Sequence, residues 1–171
     1  MSLGRSLNRS FILPLCAVAA FALAPTTRAA IPDDVLKRAG AIPLTTELLE
    51  KMEKFVASVK TDAAAKAELA AFTKENKDNP PRGEDWGKAI TAKCPKTVAL
   101  FQAAGVTPED FGKAVDAIET ILFAEGMAPA GDPDNLGKSE DKTVAANATF
   151  FAANRGRAEA VYGSFSTFGL Q

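Results

Sequence analysis

The sequence predicts an all-α fold, a compact bundle of about five helices with irregular loops and no sheet. Three observations carry that expectation. No run alternates apolar and polar residues as a half-buried strand does. Nearly every apolar segment recurs at helical spacing, and alanine, the best helix former, is abundant throughout. Proline and glycine mark the breaks between these segments, at Pro80-Pro81, Pro95, Gly105, Pro108 and Gly126.

The first 29 residues read as a secretory signal peptide rather than as part of that fold. Arg5 and Arg9 precede the apolar run Phe11 to Ala24, which is too short to span a membrane. Cleavage after Ala29 places Thr27 and Ala29 at the two positions where a signal peptidase accepts small residues. Residues 30–171 then form a single helical domain, 142 residues long (171 minus 29). Removal of Arg5, Arg9 and Arg28 takes the net charge from −1 to −4. The expected location is the periplasm or the medium outside the cell. The mildly acidic chain lacks the concentrated positive field that nucleic acid or anionic lipid requires. No later apolar run approaches membrane-spanning length, so the expectation is not an integral membrane protein.

The elements follow in order. "PDDVLKRAG" (Pro32 to Gly40) has the acids first, the bases late and a terminal glycine, as a short helix does. From Thr45 or Thr46, Leu48, Met52, Phe55 and Val59 recur at four, three and four. Asp62 is placed to cap a second helix through Leu69 and Phe72, unless the two run on as one. Pro80-Pro81 break the chain before "EDWGKAITAKC", and Pro95 opens a short helix that Gly105 ends. The clearest helix starts with Thr107 as cap and Pro108 at its first position. Its Phe111, Ala114, Val115, Ile118, Ile121 and Leu122 share one arc, and Gly126 ends it. After the long connection 126–139, Ser139 is the expected cap of the last helix.

What is missing bounds the chemistry. With no histidine, Ser-His-Asp and Cys-His catalysis, His-based zinc or copper sites and c-type haem attachment are excluded. Beyond the signal, Cys94 is the only cysteine, which rules out an intramolecular disulfide and an iron–sulfur cluster. It is either a buried small hydrophobe or a thiol activated by Lys93 and Lys96. "GDPDNLGKSEDKT" fails as a calcium loop, because Leu136 and Thr143 stand where ligands are needed. Hence no enzyme, no metal and no cofactor is expected.

The candidate site lies in "VAANATFFAANRGRAEAVY", Val144 to Tyr162. At about 100° per residue, Val144, Phe150, Phe151, Ala158, Val161, Tyr162 and Phe165 share an arc of about 120°. Asn147 and Asn154 fall inside it, with Arg155 and Arg157 on its edges. Two amides on a dry face must find partners, since each unsatisfied buried polar group costs roughly 1–3 kcal/mol. Three solutions exist: loop carbonyls or helix ends, foremost those of the 126–139 loop, supply the partners, a small polar or anionic ligand does, or an envelope protein partner does. The ligand or partner site expected is therefore Asn147, Asn154 and Arg155, with the lone Trp86 either a fourth member or a core anchor. "VTPEDFGKA" and "AANATFFAANRGRAEAVY" together resemble segments of exported, functionally uncharacterised helical proteins of Gram-negative bacteria. That resemblance implies an exported helical domain and carries no catalytic residue across. The functional expectation is an exported, non-enzymatic binding or protein-interaction domain of the cell envelope. The alternative is a carrier of a small polar ligand, with a pocket between the C-terminal helices.

Overall fold

The computed structural model describes residues 31–127 and 136–167, and these residues are helical, with no strand among them. The segment read as an export signal lies outside the described residues, as does 128–135 of the long connection. Seven helices are described rather than about five: α1 (Asp33–Ala39), α2 (Thr46–Thr61), α3 (Ala63–Glu75), α4 (Gly83–Lys93), α5 (Pro95–Ala104), α6 (Pro108–Met127) and α7 (Lys142–Thr167). The higher count has local causes. Asp62 leaves helical geometry (φ −97, ψ 107), and its carboxylate accepts from the Ala65 amide, so the chain restarts where a single helix was conceivable. Cys94 does the same before Pro95, whose missing amide forbids continuation of α4.

Five of the seven starts are satisfied by an identifiable side-chain oxygen, while α1 and α4 have none. Thr45 caps α2 through Leu48, and Thr107 caps α6 through Asp110. At α7 the cap is Asp141, not Ser139. The Asp141 carboxylate accepts from the amides of Thr143 (2.8 Å) and Val144 (3.2 Å), and Ser139 supports the Asp141 amide from behind. The α5 start has no cap of its own. Glu68 on α3 supplies one across the bundle, accepting from the Lys96 and Thr97 amides and the Thr97 hydroxyl. A carboxylate at a helix N-terminus also meets the positive end of the dipole.

Helix α6 lies at the centre of the packing, against α1, α4 and α7, while α2 packs against α3, α5 and α7. Between them is an aromatic stack. Phe55 lies flat on Phe101 at 3.7 Å, and Phe111 meets both edge-on at 4.9 and 5.2 Å. All three are fully buried, each worth about 1.5–3 kcal/mol of transfer free energy. The interface of α4 with α6 depends on glycine. A Cβ on Gly87 would stand 2.3 Å from the Glu109 Cα, and one on Gly112 would stand 2.1 Å from the Gly83 carbonyl oxygen. The two backbones are therefore in contact, and any larger residue would force them apart. This approach lays Trp86 against α6, with its indole 5.9 Å from the Phe111 ring and 5.2 Å from Phe165 of α7. No described helix is long and apolar enough to cross a membrane.

Candidate functional site

The close contact of α4 with α6 opens a cleft on one side of the interface. Its lip is Pro80, Pro81 and Arg82, where two prolines stop the preceding helix. Gly83 then turns the chain into α4 with φ +52, a value that L side chains adopt only under strain. The floor is Gly83, Trp86, Gly112 and Val115, and Tyr162 and Phe165 of α7 close the far wall. Asp116 and Glu119 of α6 complete the lining. The volume is about 440 Å³, within the roughly 300–1,000 Å³ of small-ligand sites.

Two residues of this lining each hold a fully buried polar atom without a hydrogen-bond partner, Nε1 of Trp86 and Oδ1 of Asp116. Trp86 is 2% exposed and Asp116 8%. The nearest charge to the Asp116 carboxylate is Arg38 of α1, at 3.9 Å, too far for a hydrogen bond. Arg82 is ion-paired with Glu119 at the mouth. Burial pushes the Asp116 carboxyl above the usual aspartate range, against the pull of Arg38 and Arg82. The third buried atom without a partner among the described residues, Oγ1 of Thr73, lies on α3 away from the cleft. A second groove, bordered by α2, α4, α5 and α6 around Leu48, Val98 and Val106, contains none of these atoms.

Native proteins leave few buried polar groups unpaired, and those they leave concentrate where chemistry or binding occurs. Here both such atoms belong to residues that line one aromatic-walled cavity, though the atoms themselves are closed off beneath its surface. No family model matches this chain, and comparisons with curated proteins and with solved structures found no match. The site is therefore argued from its own geometry.

The residues singled out in the sequence separate. Trp86 is in the cleft. Asn147 is 1% exposed and fully engaged inside the protein. Its Oδ1 accepts from the Leu44 amide at 2.7 Å, and its Nδ2 donates to the carbonyls of Ala39 (2.7 Å) and Ile42 (2.8 Å). The amide thus clasps the turn from α1 to α2, and its partners come from there rather than from the 126–139 connection. Asn154 is half-buried and sits where α7 departs from helical geometry (φ −122, ψ 19), donating to the Phe150 carbonyl one turn back. Arg155 is exposed and held to Glu125 (2.5 Å) and Glu159 (3.2 Å), with its guanidinium 5.0 Å above the Phe151 ring. Arg157 makes a two-pronged pair with Glu53, tying α7 to α2.

Cys94 is buried, and burial first, with Glu68 adding to it, pushes its thiol up to about 11. That is the inert structural condition, not the activated one. Asp116, Arg82, Tyr162 and Phe165 were not singled out by the sequence. No sequence signal marks Asp116, because Lys113 and Glu119 stand three residues to either side on the same helix face and the three read as a solvated stripe.

Proposed function

We propose that this protein is an exported, non-enzymatic binding domain of the cell envelope, and that it carries a small polar ligand in the cleft between α4, α6 and α7. The carrying observation is the cavity itself, of ligand size, walled by Trp86, Tyr162 and Phe165 and edged by the polar side chains of Arg82, Asp116 and Glu119. Of the readings open in the sequence, this favours the small-ligand carrier over a protein-binding face built on Asn147, whose hydrogen-bonding groups are already used. Export is supported by the charged and apolar pattern of the first 29 residues. A non-enzymatic role is supported by the absence of histidine from the chain.

Trp86 is the only tryptophan, so its emission reports on the cleft alone. Adding the small-molecule fraction of an envelope extract should shift that emission saturably and raise the melting temperature. Emission and melting temperature that both stay fixed across such fractions would overturn the carrier reading.

A further inference from the structure

The wall that Tyr162 and Phe165 give the cleft stands on the least secure part of α7. At Asn154 the backbone leaves helical geometry, and the Asn154 side chain takes the Phe150 carbonyl one turn back. Residues 155–167 are therefore a short helix of their own, and helices below about 12–15 residues are marginal without packing. Gly156 and Gly163 lie in this piece, each with open space where a Cβ would stand, so packing calls for glycine at neither. Each still weakens the helix relative to alanine, by a few-fold in its equilibrium. Ser164, Ser166 and Thr167 turn their hydroxyls back onto the carbonyls of Ala160, Tyr162 and Gly163, a bond that loosens the helix it is made in. The part of α7 before Asn154 contains no glycine and carries the Asn147 clasp. What holds 155–167 to the bundle is Arg155 on Glu125 and Arg157 on Glu53, both solvent-accessible ion pairs of small worth, and the buried side chains of Ala158, Val161 and Phe165.

Resting on the carrier reading above for its purpose, we infer that residues 155–167 of α7 are the gate of the cleft, unwinding as a unit from Asn154 onward and lifting Tyr162 and Phe165 away while the rest of the bundle stays folded. Lids and binding segments are drawn from the least stable parts of a fold. In the closed form the floor is covered, with Trp86 2% exposed and the Phe165 ring edge-on to its indole at 5.2 Å. Unwinding removes that ring and opens an aromatic floor that the closed form hides. The ion pairs of Arg155 and Arg157, at the first turn beyond Asn154, re-form as the gate shuts.

The test is residue-resolved hydrogen exchange, followed by NMR on the isotope-labelled protein with no ligand added. The indole N–H of Trp86 reports on the floor, because Nε1 is buried and Trp86 is the sole tryptophan. The expected result is that the amides of 155–167 and the Trp86 indole exchange through one shared opening. Their protection should be about tenfold or more below that of the amides of 147–152, and low urea should change it little. Gly156→Ala combined with Gly163→Ala, whose methyl groups meet nothing, should slow both sets by about tenfold. Uniform protection along α7, an indole that exchanges only with global unfolding, or exchange in 155–167 unchanged by the two substitutions would each overturn the gate. The carrier reading is decided separately, by whether envelope fractions perturb Trp86, so a static cleft that still binds would remove the gate alone.

Discussion

Asn147→Ala is the sharpest test of how this bundle holds itself together. The side chain makes three hydrogen bonds, at 2.7, 2.7 and 2.8 Å, all to backbone groups of the α1–α2 turn. Each such bond contributes about 1 kcal/mol net, and truncation also strands the Leu44 amide and two carbonyls in a site that is 1% exposed. Water entering the vacated space recovers part of this, so the expected loss is about 3–4 kcal/mol. In a domain of this size 1 kcal/mol moves the midpoint by about 3 °C, so melting should fall by about 10 °C. The assay is thermal and urea denaturation followed by circular dichroism, with the urea slope expected to stay constant. Asn147→Asp keeps the acceptor for Leu44 but sets a charge against two carbonyls, and should be at least as damaging. A loss under about 1 kcal/mol for Asn147→Ala would refute the clasp, because it would mean the turn holds its position without the amide.

Four further outcomes are expected. Asn154→Ala should cost under about 1 kcal/mol or be slightly stabilising, because only one local bond is lost and alanine prefers the helix that asparagine interrupts; chemical denaturation measures it. Asp116→Asn should raise the melting temperature of the ligand-free protein at pH 7.5. The folded-state pKa is raised, so the penalty of burying the charge builds up as pH rises from the ordinary aspartate value of 3.8 to the raised one and is complete above it; the gain should therefore vanish below 3.8. Glu68→Ala, which uncaps α5, should cost about 1–2 kcal/mol in the same denaturation assay. Gly112→Ala should cost more than about 2 kcal/mol and quench or shift Trp86 emission, since its methyl group would collide with the Gly83 carbonyl under the indole.

What the sequence made legible follows from the range of each interaction. The cap and first turn of α6 depend on four neighbouring residues, and Thr107, Pro108 and Asp110 do what their order implies. The α6 arc is likewise set by local periodicity, and Phe111, Ala114, Val115, Ile118 and Ile121 are all buried. In α7 the periodic reading correctly buried Val144, Asn147, Phe151, Ala158, Val161 and Phe165. It gave Asn154 the same standing as Asn147 because it assumed a straight helix. The backbone turns out of helical geometry at Asn154, and the side chain is spent locally. The partners of Asn147 were beyond reach, because hydrogen bonding to the turn before α2 depends on how α7 packs on α1 and α2.

The cleft was legible only at Trp86. Its other members come from three helices and a proline lip, and no spacing rule links Arg82, Asp116 and Phe165. They meet because Gly83, Gly87 and Gly112 let α4 and α6 touch. Glycine inside a helix is locally unfavourable, and its purpose is visible only from the neighbouring helix.

The claim that the cleft is a small-ligand site is tested most directly by native mass spectrometry of the protein isolated from its own envelope under gentle conditions. The account predicts a folded chain carrying one small added mass. A bare chain, or a chain carrying another protein and no small molecule, would contradict it.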